Sequence, residues 1–330
     1  MKKISVIMPT FKRVDQTLRT IELLFSSEGI DEKFVLEIIV SDDSPNDDLK
    51  DTIQKKFKDQ VIYSRPKKKG IASSKNNGAK IASSSILIFC DSDMEVEQDT
   101  VLNTILALEK HKTAGAIGGQ VIWRTGPKEG QHDRPRKEDQ MILVGKTTYT
   151  EAIYSRYIAT YKDVFLKVGG YDEDVFNMRG EGSDMSVRYW RTGFPLVFDD
   201  SLVVHHVHET EGGIIRGVAH PEWGIAKDLL ILAYKYDIFD DKNQNFVNTV
   251  AANFEKFGRD GYYRIIEGIG KNFDFIAEVK PIIDQGKKKM KAEFDFKFLE
   301  IFSDKVMFNK CIEEAAGRLK NIRKDIFKRR

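Results

Sequence analysis

The sequence has 330 residues, of which 41% are hydrophobic and 32% are charged, and its formal net charge is +2. These values are typical of a folded globular protein and give no reason to expect a nucleic-acid partner. The chain is long enough for one large domain or for a domain with an appendage. Its two cysteines, Cys90 and Cys311, lie too far apart for a disulfide framework or a cysteine zinc site, which favours a cytoplasmic protein.

Several classes of protein are disfavoured by what the sequence lacks. No apolar run is long enough to span a membrane, and the run after the basic start ends at Pro9, so we expect neither a membrane span nor a signal peptide. No Gly-x-Gly-x-x-Gly follows the first predicted strand, which disfavours a dinucleotide-binding Rossmann site. A Walker-type Gly-Lys-Ser/Thr loop is also missing, which disfavours an ATPase of that class.

Strands and helices alternate over the first ninety residues. This alternation predicts a parallel α/β sheet, in which ligands bind beyond the carboxyl ends of the strands. The predicted strands are 4–8, 34–40, 61–63 and the run from 86 to 90, and the predicted helices are 15–25, 47–57 and the segment leading to 84.

Polar residues directly follow three of these predicted strands. Because the carboxyl ends of parallel strands meet at one edge of a sheet, we expect their side chains to converge on one site. The residues are Thr10 after the first strand, which Pro9 closes, Asp42 and Asp43 after the second, and Asp91 and Asp93, on either side of Ser92, after the run at 86.

The Asp91-Ser92-Asp93 segment has two carboxylates one residue apart. Side chains at i and i+2 share a side of a strand, so both carboxylates can approach one point, where they repel each other unless a cation lies between them. Mn²⁺ or Mg²⁺ holding a diphosphate suits such a place. On this motif alone, a polar turn that caps a strand is an equally good interpretation.

The middle of the chain predicts a helix from 96 to 108, a strand at 116–123, a loop at 125–139 and a helix at 154–168. A further helix begins near Glu181, which shares a helix face with Asp184; acidic residues at a helix N-terminus also favour the helix dipole. The next predicted strand, 196–204, leads into a histidine cluster, whose position near the acidic residues suggests a metal or diphosphate contact. The cluster consists of His205, His206 and His208, of which His205 and His206 should point to opposite sides.

Beyond residue 222 the strand-ending acids disappear and the pattern becomes helical. We therefore divide the chain into a sheet domain at 1–222 and a helical C-terminal extension at 223–330, which packs on the sheet domain or on another subunit of a homo-oligomer. The basic end of the extension can lie on an anionic membrane surface, here the inner face, or form a solvated helix end. The predicted helices are 225–236, 246–257, 262–273 and 298–326.

Taken together, the motifs of roughly the first 220 residues resemble those of the inverting family-2 glycosyltransferases of GT-A fold. The resemblance implies an α/β GT-A fold, with a mostly parallel nucleotide-diphospho-sugar-binding sheet, flanking helices and the helical extension. The segments that carry it are 5–11, 37–44, 70–78, 91–93, 169–173 and the histidine cluster with the two glycines after it.

The resemblance also implies an activity: metal-dependent transfer of a sugar from a nucleotide-diphosphate donor, a UDP-sugar, to a hydroxyl acceptor on a glycan or cell-surface polymer, with inversion. Site residues follow from the matched motifs. The donor-binding set is Pro9, Thr10, Asp42, Asp43, Lys75, Asn76, Asp91, Ser92, Asp93 and Arg216; the acceptor and sugar set is Gly170, Tyr171, Asp172 and Glu173; and the metal set is Asp93, Asp91, His205, His206 and His208.

One departure from the family pattern concerns the catalytic base. The family usually has an Asp directly after the Glu at this place, but here Gly182 follows Glu181. Either Glu181 or Asp184 takes the proton of the acceptor hydroxyl, or the mechanism differs. A retaining glycosyltransferase, a nucleotidyltransferase and a sugar-nucleotide-binding pseudoenzyme are therefore the alternatives, although the nucleotide loop of a nucleotidyltransferase is missing after the first strand.

Overall fold

One sheet connects the strands of the described part of the chain. The computed structural model describes residues 1–126, 128–135, 141–176, 180–207, 235 and 305–327. The strands are β1 (Lys2–Thr10), β2 (Phe34–Asp42), β3 (Val61–Ser64), β4 (Ile86–Cys90), β5 (Met94–Val96), β6 (Ala116–Trp123), β7 (His132–Asp133), β8 (Met141–Val144), β9 (Thr147–Thr150), β10 (Tyr157–Tyr161) and β11 (Leu196–His206).

Helices cover this sheet. A single turn of 3₁₀ helix also joins the second helix to β3 at Lys58–Gln60. The helices are α1 (Val14–Phe25), α2 (Asp48–Phe57), α3 (Ile71–Ile81), α4 (Thr100–Lys110), α5 (Lys162–Lys167), α6 (Glu181–Arg191) and α7 (Lys305–Ile326).

The strand order among the described residues is β3-β2-β1-β4-β10-β6-β11-β9-β8, with β5 paired to β11 and β7 to β6. The first four strands are parallel, as are β6 and β11, whereas β10 runs antiparallel between β4 and β6. Such a mixed, mostly parallel sheet confirms the predicted fold class. The carboxyl ends of β1, β2, β4 and β11 lie at one edge, where the predicted site residues follow them.

Local sequence explains the central strands and their close helix. From Ile4 to Thr10 every residue of β1 is buried, because a run that is apolar apart from Ser5 and the terminal Thr10 suits a strand covered on both faces. Helix α3 packs directly on this strand at Gly78, where a Cβ atom would collide with the side chain of Ile7. A larger residue at position 78 would push away the helix that carries Lys75 and Asn76.

The prediction of a helix at 154–168 was wrong for its first half. Residues Tyr157–Tyr161 form β10, all five of them buried, and only Lys162–Lys167 are helical. The run is aromatic and β-branched, which suits a strand buried on both faces, and such a run lacks the two-residue alternation of a half-exposed strand. The short strands β5, β7, β8 and β9 were also not predicted.

Helix α7, near the end of the sequence, packs beside the sheet. Helix α7 buries Phe308, whose ring lies 5.5 Å from that of Tyr149. Arg323 of the same helix points inward and donates to the hydroxyl of Tyr161 at 2.6 Å. Within the described ranges, no helix is long and apolar enough to cross a membrane. The domain division at residue 222 and the predicted helices at 225–236, 246–257 and 262–273 fall outside the described residues, apart from Lys235, and stay predictions.

Candidate functional site

The end of β2 places two aspartates in a buried polar corner. Asp42 is fully buried and accepts hydrogen bonds from the hydroxyl of Tyr63 (2.9 Å) and the backbone N–H of Ser44 (2.9 Å). Asp43 accepts from the N–H of Gly70 at 2.8 Å. Burial raises the pKa of Asp43, although the Gly70 N–H and the charge of Lys69 oppose the rise. Both carboxylates stand at the carboxyl edge of the sheet, beside α3.

Neighbouring donor-site candidates are held by backbone and hydroxyl groups. The hydroxyl of Thr10 lies 2.9 Å from that of Thr17 at the start of α1. Ser92 is buried, and its carbonyl accepts from the hydroxyl of Thr20 at 3.0 Å. Pro9 is part of β1, next to Thr10. Arg216 lies outside the described residues, so its predicted contact with the diphosphate stays a prediction.

Asp93 and His206 form a buried pair between the ends of β4 and β11. Nε2 of His206 lies 3.1 Å from Oδ2 of Asp93, and the same oxygen forms an ion pair with Arg13. The imidazole packs on Trp123, with ring centroids 4.2 Å apart. Burial alone would raise the pKa of Asp93, but the hydrogen bond with His206 and the charge of Arg13 hold it below its usual value. The carboxylate is therefore ionised at neutral pH.

His205, the neighbour of His206 in the cluster, does not share this place. His205 points away from His206 and lies 2.7 Å from Glu97. His208 lies outside the described residues. Of the histidines that the structure describes in the cluster, only His206 contacts Asp93.

The residues present fit a divalent metal in part. Among the described residues no group of three His, Cys, Asp or Glu side chains could hold a metal ion. Asp93 and His206 nevertheless offer one carboxylate oxygen and one imidazole nitrogen at the same point. Mn²⁺ and Mg²⁺ keep several water or phosphate oxygens in such sites, so two protein ligands are compatible with a metal that a diphosphate completes.

Lys75 lies at the centre of a second group of candidate site residues, which also contains Asp91 and Glu181. Its side chain has no exposed surface, and Nζ lies 3.3 Å from Oδ1 of Asp91, 3.3 Å from Oε1 of Glu181 and 2.9 Å from the carbonyl oxygen of Ser155. Burial lowers the pKa of Lys75, but the two carboxylates outweigh burial and raise it. The predicted contact of Lys75 with the donor stays a prediction, because in this arrangement the ammonium group is occupied by carboxylates.

The pKa values of the two carboxylates beside Lys75 are shifted in opposite directions. Burial raises the pKa of Asp91, and the nearby charge of Lys75 does not fully offset it. Burial also acts on Glu181, but there the charge of Lys75 and the hydroxyl of Ser155 lower the pKa below its usual value. Because its pKa is lowered, the carboxylate of Glu181 is ionised although its side chain is only 7% exposed. It stands at the N-terminus of α6.

Asp184 occupies a different environment from Glu181. It is fully buried, with Oδ1 2.6 Å from Nζ of Lys235 and Oδ2 2.7 Å from Nη2 of Arg188. Lys235 also lies 2.6 Å from Asp172. Both oxygens of Asp184 are thus engaged by cations, and Lys235, from the C-terminal extension, ties the carboxylate to the segment that carries Asp172.

Asn76 fastens residues 170–173, which the sequence predicts to contact the acceptor or sugar, to α3. Its amide nitrogen donates to the carbonyl of Tyr171 (2.8 Å) and to Glu173 (2.7 Å), and its amide oxygen accepts from the N–H of Tyr171 (2.8 Å). Gly170, which precedes Tyr171, has a φ of 67°, a conformation that glycine adopts without strain. Asn76 therefore positions this segment through the hydrogen bonds of its amide group.

Sequence reasoning missed three residues that the structure brings into the site. Arg13 lies three positions after Thr10, where its place beyond a strand end was a usable signal. Ser155 lies in a segment misread as helix, and Lys235 lies more than forty residues beyond α6 in sequence, so neither had a local signal. All three contact a predicted carboxylate, namely Asp93, Glu181 or Asp184.

Comparison with known proteins adds an independent line of evidence. A family model described as "Glycosyl transferase family 2" matches residues 5–169. A curated relative, the GalNAc(5)-diNAcBac-PP-undecaprenol beta-1,3-glucosyltransferase of Campylobacter jejuni, is 29% identical over 180 residues, which cover 53% of this chain and 57% of the relative. The chain thus spans less than two thirds of that protein.

Two solved structures share the fold. Residues 1–349 of S. aureus TarS, in complex with UDP-GlcNAc, superpose with a TM-score of 0.59 at 14% identity and cover 100% of this chain and 93% of that one. GalNAc-T7 with UDP, GalNAc and Mn²⁺ has a TM-score of 0.56 at 18% identity, covering 74% of this chain and 49% of that one. At these identities the likeness shows a common fold.

Proposed function

Because this chain belongs to glycosyl transferase family 2, we propose that it transfers a sugar from a nucleotide-diphosphate donor, a UDP-sugar, to a hydroxyl group of a glycan or cell-surface polymer. Its fold is the GT-A fold predicted from the sequence. A nucleotide-sugar donor is supported by TarS, whose structure holds UDP-GlcNAc. A glycan acceptor is supported by the name of the C. jejuni relative, an undecaprenol-linked glycan glucosyltransferase.

The arrangement of charges at the carboxyl edge of the sheet carries this proposal. Asp93 and His206 stand on one side of the edge, and Asp91, Lys75 and Glu181 stand on the other. Asp42 and Asp43 lie beside them at the end of β2, where they can accept hydrogen bonds from a nucleobase. A donor lying along this edge would have its base at one end and its anomeric carbon near Glu181.

Glu181 is the better candidate for the catalytic base. The proton of the acceptor hydroxyl goes to its carboxylate while the oxygen forms a bond to the anomeric carbon. The bond from that carbon to the β-phosphate breaks, and nucleoside diphosphate leaves with the electron pair, which gives inversion. Asp184 is less suited, because Arg188 and Lys235 engage both of its oxygens. Gly182, which replaces the usual aspartate, does not carry a base.

Asp93 and His206 would hold the metal. Mn²⁺ or Mg²⁺ held there would supply positive charge to offset the charge that develops on the leaving diphosphate. The GalNAc-T7 structure, which contains Mn²⁺, supports a metal in a protein of this fold. The chain's own contribution is to keep the Asp93 carboxylate ionised, through its contacts with His206 and Arg13.

A panel of nucleotide sugars with Mn²⁺, scored for release of nucleoside diphosphate, tests the function. We expect turnover with at least one UDP-sugar, and a fall of about 10²- to 10⁴-fold in kcat for Glu181→Gln, because general base catalysis contributes that much. Asp184→Asn is the matched variant and should retain more activity than Glu181→Gln. Release of pyrophosphate would instead indicate a nucleotidyltransferase, and binding of donors without any turnover would contradict the enzymatic assignment.

A further inference from the structure

The turn before β10 contacts both the Asp91-Ser92-Asp93 segment and the pair formed by Lys75 and Glu181. The carbonyl of Arg156 accepts from the backbone N–H of Asp91 at 2.9 Å, which fixes the turn beside the Asp91-Ser92-Asp93 segment. Its neighbour Ser155 donates through Oγ to Oε1 of Glu181 at 2.6 Å and accepts from Nζ of Lys75 at 2.9 Å through its carbonyl. One residue therefore contacts the base and the cation that neutralises it.

The carboxylate of Glu181 depends on Ser155 for its direction. Lys75 lies 3.3 Å from Oε1 of Glu181, a longer and less directional contact than the 2.6 Å bond from Ser155. Both donors meet the same oxygen, Oε1. Oε2, for which the structure describes no side-chain hydrogen bond, is therefore left to accept a proton.

Gly182 makes room for this serine. A Cβ atom built on Gly182 would lie 2.9 Å from Cβ and 3.0 Å from Oγ of Ser155. Carbon atoms in contact normally lie about 3.5–4.0 Å apart. Since Cβ of Ser155 is rigidly attached to the backbone, the turn itself would have to move if position 182 carried any side chain. The glycine and the serine thus form a complementary pair.

We infer that Ser155, seated in the space that Gly182 leaves, is a positioning residue that aims the Glu181 carboxylate at the acceptor hydroxyl. This inference rests on the proposed function, with Glu181 as the base. Ser155 itself does not exchange a proton with the substrate. It holds Oε1 so that the remaining oxygen is presented in a constant direction, and general base catalysis requires such placement within hydrogen-bond reach of the proton.

Ser155→Ala tests the inference, with Ser186→Ala as the matched control. Ser186 is a buried serine of α6 that bonds the carbonyl of Gly182 at 2.8 Å. For Ser155→Ala we expect kcat to fall about tenfold or more with the KM for the donor nearly unchanged, because a misdirected base affects the transition state and leaves donor binding alone. Ser186→Ala should lower kcat by less than about twofold.

Two further variants separate positioning from a loss of folding. Ser155→Thr retains the hydroxyl that bonds Oε1 of Glu181, so this variant should recover most of the lost kcat. Gly182→Ala should lower kcat by a similar factor to Ser155→Ala. The double variant should be no worse than the poorer single one, since both changes disturb the same contact. Two outcomes would overturn the inference. One is an additive loss of kcat in the double variant, and the other is a loss in Ser155→Thr as large as that in Ser155→Ala.

A readout without turnover distinguishes this inference from the proposed function. The ¹³C-carboxyl resonance that disappears in Glu181→Gln identifies Glu181 in the NMR spectrum, and its titration gives the pKa of that group. Because the Ser155 hydroxyl stabilises the charged form, Ser155→Ala should raise this pKa. An unchanged pKa in Ser155→Ala would overturn the inference, whether or not wild-type protein turns over any donor. Wild-type protein without turnover would count against the proposed function alone.

Discussion

Strand β11 carries one member of each of two buried histidine–aspartate pairs. At its carboxyl end His206 lies 3.1 Å from Asp93, and near its beginning Asp199 lies 2.8 Å from Nε2 of His111. A shift in register against β6, between Phe198 and Val203, separates the two. The two pairs have similar chemistry, but they differ in what surrounds them.

The pair at the beginning of the strand is closed off by protein groups. His111 uses its second ring nitrogen on the hydroxyl of Thr147 at 3.0 Å, and Asp199 also accepts from the hydroxyl and the backbone N–H of Ser201. At the other end, the carboxylate of Asp93 is shared with Arg13 at the edge of the proposed donor site. The satisfied groups around Asp199 indicate a structural role, whereas the single oxygen of Asp93 that Arg13 and His206 share lies at the carboxyl edge of the sheet, which favours a role in binding.

The largest expected effect is on turnover, which should depend on the pair of Asp93 and His206 and be nearly independent of the pair of Asp199 and His111. Asp93→Asn removes the charge that would hold the metal, so we expect turnover to fall about a hundredfold or more, equivalent to about 2.7 kcal/mol. Mn²⁺ affinity, followed by electron paramagnetic resonance in the presence of UDP, should fall as well. Asp199→Asn is the matched control, and its turnover should stay within about twofold of wild type. Equal losses in both variants would break the contrast between the pairs.

The two variants should rank in the opposite order for stability, with the larger loss in Asp199→Asn. Asp199→Asn replaces a charged acceptor of four hydrogen bonds, from His111, Lys110 and two groups of Ser201, so the free energy of unfolding should fall by about 1–3 kcal/mol. Urea unfolding at pH 7, followed by circular dichroism, measures this loss. A larger loss of stability in Asp93→Asn than in Asp199→Asn would contradict the structural role of the pair at His111.

A smaller effect, confined to acid, sharpens the same comparison. The hydrogen bond with His111, together with those from Ser201, holds the pKa of Asp199 well below its usual value. In the unfolded chain this carboxyl titrates near its ordinary pKa of about 3.9, so its contribution to stability is complete above that pH and is lost as the pH falls through the folded-state pKa. Between pH 5 and 3 the free energy of unfolding should therefore fall less steeply in Asp199→Asn than in wild type. Parallel curves would show that Asp199 carries no such linkage.

Much of the fold and part of the site could be predicted from the sequence. The alternation of apolar runs and helical periods predicted the parallel half of the sheet, because those strands are buried on both faces and end in polar residues. Asp91 and Asp93 were recognised for the same reason. The structure then separates them: Asp93 pairs with His206, and Asp91 pairs with Lys75.

The rest depends on contacts between residues that are distant in sequence. Tyr157–Tyr161 were misread as helix because a strand buried on both faces shows no alternation. The bond from Ser155 to Glu181 joins a turn to a helix 26 residues later, and Lys235 reaches Asp184 from 51 residues away. Periodicity and local motifs describe neighbours within one element, so they carry no information about such pairs.

The ion pair between Arg13 and Asp93 affects how ligands bind together. Arg13 and His206 contact the same oxygen of Asp93, so a divalent ion held there would have to compete with the Arg13 guanidinium for it. Nε of Arg13 is buried and has no hydrogen-bond partner among the described residues, and a diphosphate bound nearby would offer acceptor oxygens to the displaced side chain. Each ligand then lowers the cost of binding the other, and this coupling free energy is necessarily the same in both directions. Metal and donor would therefore occupy the protein cooperatively, and a low concentration of free metal would suffice wherever the donor is abundant.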